Sequence, residues 1–134
     1  MDTKTKQSTV VDALEDVKGY DIVVFNTAHM PTRFERVIIA TGTSSTQVRA
    51  LADRVRERVE QAGGRVYGVE GESGGDWVLV DLGDVVVHIM HPAVRSFYNL
   101  EEVWGGKKVG LKTKKTTVKK PPKRGAAPRR RAKR

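Results

Sequence analysis

Two aspartates, Asp81 and Asp84, flank Gly83, and two histidines, His88 and His91, follow at His-x-x-His spacing. Metal-dependent nucleotidyl transfer needs a Gly-Gly or Gly-Ser turn and then two acids one residue apart on a strand. Those acids hold the metal against the nucleotide phosphates. Gly42-Thr43-Ser44 could supply the turn, but Asp53 falls mid-helix beside Arg54 and Val55, with no second acid at the required offset. Asp81 and Asp84 straddle a turn and point differently. His88 and His91 project to opposite faces of a strand, and no third ligand is near them. No catalytic residue, cofactor or metal is therefore assigned. Absence of cysteine excludes disulfides, thiolate chemistry and Cys-ligated metal centres within the chain.

The remaining candidates are binding groups. Trp77 opens an apolar run directly after the acidic, Gly-rich stretch 70–76. One reading makes it a core-edge aromatic. The other makes it an interface anchor, because tryptophan desolvates a large area and is enriched among hot spots. Tyr98 and Trp104 have weaker claims of the same kind. His88 reads as a polar contact on a half-buried or partner-covered face.

These residues need elements to hold them. Val10, Val11, Leu14 and Val17 follow one helical face, which Gly19 ends. Residues 22–25 and 37–40 read as buried strands, separated by a loop containing Pro31. Ser44 and Gln47 have capping-box spacing. They open a helix whose apolar stripe is Val48, Leu51, Ala52, Val55, Val59 and Ala62, and Gly63-Gly64 stops it. Its opposite face carries mixed charges and reads as solvated. Residues 65–70 are a short strand candidate.

Strands 77–82 and 85–90 are joined by Gly83-Asp84, which suits a type II′ hairpin. That link dictates the register. Leu82 faces Val85, Val80 faces Val87 and Val78 faces Ile89, which makes the core face. The other face pairs Asp81 with Val86, Leu79 with His88, and Trp77 with Met90. A helix of this chain or a partner must cover it. After Pro92 the pattern is helical or irregular. Helices interleaved with strands predict an α/β (α+β) fold, with a mixed sheet of about five strands flanked by helices.

Charge divides the 134 residues in two. Residues 107–134 hold 14 basic and no acidic side chains, leaving 11 basic and all 16 acidic residues in 1–106, a net of −5. The expected organisation is a mildly acidic domain, 1–106, and a disordered Lys/Arg-rich tail, 107–134, with too few large apolar residues to fold. Such a tail binds phosphate polyanions without sequence specificity. Its candidate RNA contacts are Lys114, Lys115, Lys119, Lys120, Arg129, Arg130 and Arg131. No apolar run is long enough to span a membrane, and the expected location is the cytoplasm.

Several long motifs resemble the ribosomal silencing factor (Iojap-like) family, in the family's order. They are Ala13-Leu14-Glu15-Asp16-Val17-Lys18 with Asp21-Ile22-Val23-Val24, and Ile39-Ala40-Thr41-Gly42-Thr43-Ser44-Ser45-Thr46-Gln47-Val48-Arg49-Ala50-Leu51-Ala52. Then come Glu70-Gly71-Glu72, Asp76-Trp77-Val78-Leu79-Val80-Asp81-Leu82-Gly83-Asp84-Val85-Val86-Val87-His88, and the ending with Arg95, Phe97-Tyr98-Asn99-Leu100-Glu101 and Trp104-Gly105. The resemblance spans roughly residues 10–106. It implies a nucleotidyltransferase-like fold without transferase activity. It also implies binding to ribosomal protein number fourteen of the large subunit, occlusion of the small subunit when nutrients run short, and a homodimer when free. Two features depart from the family. Phe34-Glu35-Arg36-Val37 stands where many members have Asp-Tyr-Phe, and the basic tail is outside the pattern.

The expected docking surface is accordingly Trp77, Leu79, Asp81, His88, Tyr98 and Trp104. The alternative is an RNA-binding ribosome assembly factor acting through its basic tail.

Overall fold

A computed structural model describes residues 1–98 and 107–108. Helix α1 (Thr3–Asp16) leads into β1 (Tyr20–Asn26) and β2 (Arg36–Thr41). Helix α2 (Ser45–Gln61) follows, then β3 (Gly68–Glu70), β4 (Trp77–Asp81), β5 (Val85–Met90), α3 (Pro92–Tyr98) and β6 (Lys107–Lys108). They form one mixed sheet in the order β3-β4-β5-β2-β1-β6. The central pair, β2 and β5, is parallel, and every other pairing is antiparallel. The expected five strands are all present. The two-residue β6 joins them at the β1 edge, just past Gly106.

The hairpin adopts the expected register, with Trp77 opposite Met90, Leu79 opposite His88 and Asp81 opposite Val86. Gly83 sits at φ +94°, the left-handed region that favours glycine, and the Leu82 amide donates to the Val85 carbonyl at 2.9 Å.

Two element boundaries differ from what the apolar pattern marks. Helix α1 begins at Thr3, well before its first valine, because Asp2 caps it by accepting the Thr5 amide at 2.7 Å. Strand β3 is shorter than 65–70. Tyr67 still donates its amide to the Asp81 carbonyl at 2.8 Å, but regular pairing starts only at Gly68.

Both long helices pack on one face of the sheet. Val10, Val11, Ala13 and Leu14 of α1 and Val48, Leu51, Ala52, Val55 and Val59 of α2 share a core with Ile22, Val24, Ile38, Ala40, Val78, Val80, Val85, Val87 and Ile89. Gln47 couples the helices. Its Oε1 accepts the Thr43 amide at 2.5 Å, one residue before the expected capping-box partner. Its Nε2 donates to the Val17 and Lys18 carbonyls at 2.9 and 3.2 Å, at the end of α1.

Helix α1 ends in a Schellman turn, with Gly19 N–H on the Leu14 carbonyl and Lys18 N–H on the Glu15 carbonyl. The left-handed position, φ 66°, is occupied by Lys18 rather than glycine. Relief of that strain outweighs the added freedom of the unfolded chain. Lys18→Gly is therefore expected to raise stability by about 0.5–1 kcal/mol, several degrees in Tm. An unchanged or lower Tm on thermal denaturation contradicts this.

Candidate functional site

The second face of the sheet has a different character. Phe25, Val37, Ile39, Val86 and Met90 are buried there, with Val23, Phe34, Trp77, Leu79 and Val94 packed against them as a half-buried layer. Among the described residues neither long helix contributes to this cluster, and α3 supplies only Val94. The period-two alternation of β4 puts Trp77, Leu79 and Asp81 side by side on this face.

Trp77 is closely packed at its backbone and hydrogen-bonded at its ring. Gly71, at φ +88°, lies so close above it that a Cβ there would fall 2.1 Å from the Trp77 carbonyl oxygen. The loop behind Gly71 is pinned by the Ser45 hydroxyl, which donates to the Asp76 carboxylate at 3.0 Å, and by the His91 amide on the Asp76 carbonyl at 2.8 Å. On the sheet face the Trp77 indole Nε1–H donates to His88 Nδ1 at 3.0 Å. The two ring centroids lie 5.9 Å apart.

That bond assigns the His88 proton to Nε2. His88 is only 6% exposed, and this burial pushes its pKa down to about 4. A histidine in that position is neutral at pH 7 and keeps Nδ1 as an acceptor.

Asp81 closes the row through Arg33. The guanidinium donates to both carboxylate oxygens, at 2.6 and 3.3 Å, and to the Gly83 carbonyl at 3.2 Å. It also lies 4.4 Å above the Phe34 ring. The Arg33 hydrogen bond is the main reason the Asp81 carboxyl titrates below its ordinary value. Burial opposes this, and the Gly83 amide adds to it. Neither Arg33 nor Phe34 was among the expected site residues. Their loop has no periodicity, and only folding brings it against the hairpin.

Asp84 faces elsewhere. Lys6 of α1 is buried and donates to the Asp84 carboxylate at 2.6 Å and to the Leu82 carbonyl at 2.9 Å. The Thr3 hydroxyl also bonds Asp84. Burial would raise the Asp84 pKa, but the bonds from Lys6 and Thr3 and the Lys6 charge hold it below the ordinary value. The two aspartates that could have mimicked a metal pair are thus separate anchors with different cationic partners. Among the described residues, no three His, Asp or Glu side chains group as a metal site.

Of the expected docking residues, the fold brings Trp77, Leu79, Asp81 and His88 onto one face, with His88 the most buried of the four. Tyr98 is the last residue of α3, and its side chain lies outside the described residues, as do Trp104 and the tail positions Lys114, Lys115, Lys119, Lys120, Arg129, Arg130 and Arg131. Among the described residues, no helix is long and apolar enough to cross a membrane.

Comparison with known proteins supplies a further finding. Residues 1–134 match the family model described as "Ribosomal silencing factor during starvation". A Chromobacterium violaceum protein named ribosomal silencing factor RsfS is 47% identical over 108 residues, covering 81% of this chain and 88% of that one. A Zymomonas mobilis protein of the same name is 42% identical over 96 residues, 72% of each chain. A crystal structure of a C. violaceum protein superposes with a TM-score of 0.77 at 45% identity, covering 85% of this chain and 95% of that one.

Proposed function

The chain belongs to the ribosomal silencing factor family, and from that premise we propose that it represses translation by steric occlusion. The β4–β5 face docks on ribosomal protein number fourteen of the large subunit in the cytoplasm, and the bulk of the domain then keeps the small subunit away. No catalytic step or cofactor is required, and the free protein is a homodimer.

The observation that supports this reading is the asymmetry of the sheet. Among the described residues both long helices cover one face, while the other carries an apolar layer with half-buried Trp77 and Leu79 in its outer shell and Asp81 at its margin. A half-buried tryptophan whose ring is oriented in advance suits an anchor, because little rotamer entropy is lost when a partner desolvates it.

Trp77→Ala is expected to cost at least about 2 kcal/mol of binding, roughly thirtyfold in affinity for large subunits. Co-sedimentation with purified subunits checks this. A folded variant that travels with the large subunit as well as the parent removes Trp77 from the interface.

The charge distribution favours a second reading, an RNA-binding assembly factor acting through its tail. All 14 basic residues of 107–134 lack acidic neighbours, a pattern that neutralises RNA phosphates with strong salt dependence. Sedimentation at two salt concentrations separates the readings. Occlusion predicts selective large-subunit binding and fewer joined ribosomes at both salts. Tail-driven binding predicts equal binding to both subunits, lost at high salt.

A further inference from the structure

Trp77 and His88 are diagonal neighbours across the hairpin, since Trp77 stands opposite Met90 and His88 opposite Leu79. His88 is nearly fully buried and so has little surface to offer a partner. Its Nδ1 nevertheless accepts the Trp77 indole proton at 3.0 Å. An indole N–H is a donor with no acceptor capacity, and a half-buried one fixes the ring through whichever acceptor it meets. A directional hydrogen bond adds an orientation that apolar packing, which has no direction of its own, does not impose.

We propose that His88 is a positioning residue for docking: its Nδ1 holds the Trp77 ring in the orientation that enters the large-subunit partner, while His88 itself touches no partner atom. This rests on the docking role of Trp77 put forward above. It assigns a buried polar position in a largely apolar layer to anchor geometry rather than direct contact. Gly71 packs directly against the Trp77 carbonyl, and His88 fixes where the ring goes.

The test uses the full chain, nitrogen-15 labelled, with the Trp77 indole signal identified by its disappearance in Trp77→Phe. In the parent that proton should exchange slowly with solvent. His88→Leu keeps the volume and burial but removes the acceptor. It is expected to speed indole exchange at least tenfold and weaken large-subunit binding roughly tenfold, the loss of one buried hydrogen bond. His88→Gln restores an acceptor oxygen and should recover part of both. A purely structural role predicts the reverse ranking, because leucine packs an apolar layer better than glutamine. Equal binding by His88→Leu and the parent overturns the proposal, as does slow indole exchange in His88→Leu. The docking reading fails separately: if Trp77→Ala binds as the parent does, the interface is elsewhere whatever His88 does. If Trp77→Ala weakens binding and His88→Leu does not, docking stands and the positioning role falls.

Discussion

Asp84→Ala is expected to destabilise the fold by about 3 kcal/mol, a fall on the order of 10–20 °C in Tm. The reason lies beneath the hairpin. The Lys6 side chain is 10% exposed and that of Asp84 is 29% exposed, with the charged atoms 2.6 Å apart. Removing the carboxylate leaves a buried ammonium with the Leu82 carbonyl and, among the described residues, no other ion-pair partner. Lys6→Met should cost less, because methionine fills the same channel without a charge and Asp84 can hydrate. The double variant Lys6→Met/Asp84→Ala is therefore expected to be more stable than the sum of the single losses implies, with a coupling of about 1–2 kcal/mol. Asp84→Asn, which keeps the turn preference and one acceptor oxygen, should fall between parent and Ala. Urea denaturation of the parent and the four variants reads all of this. Additive single losses, or an Asp84→Ala loss below about 1 kcal/mol, would show that the pair is a surface contact of little consequence.

The second large effect is acid lability centred on His88. Its pKa is about 4 in the folded protein, against 6.5 in an unfolded chain, because burial penalises the cation. Between these values the unfolded state binds the proton and the folded state does not, so stability rises with pH across that window. The His88 contribution is complete above pH 6.5. It falls by about 3 kcal/mol as pH drops to 4, then levels off once the folded protein also protonates. The depressed carboxylates Asp81 and Asp84 titrate below their ordinary 3.8. Their acid-linked loss lies under the histidine window and is distinguishable from it. Urea midpoints at pH 7, 5.5 and 4.5 for the parent and His88→Leu test the assignment. The parent should lose stability steeply over this range, and the variant should be nearly flat. Parallel curves would mean that the acid sensitivity belongs to other groups.

Local patterning explains what was legible beforehand. Gly83-Asp84 is a two-residue link, and a hairpin closed by such a link has one register. Six apolar partners and the Trp77, Leu79, Asp81 row followed from that alone. The stripe on α2 and its Ser44 cap were equally visible, because helical spacing and cap chemistry are local. The start of α1 was less so. Residues 3–9 contain no large apolar side chain, and the signal there is a single capping aspartate.

The contacts between distant segments were not legible. Nothing in the linear order pairs Lys6 with Asp84, Arg33 with Asp81, or Gln47 with the carbonyls that end α1. Each joins segments separated by about 30 residues or more, and the chain path alone decides which groups meet. Sequence by itself determined the fold class, the hairpin face and the family, because periodicity, turn chemistry and long ordered motifs are properties of consecutive residues. Tertiary structure alone decided that both helices cover the same face and that His88 is buried beside Trp77 as its acceptor. Burial and hydrogen-bond partners depend on which surfaces stack in space, and a one-dimensional pattern carries no information about the depth at which a residue will lie.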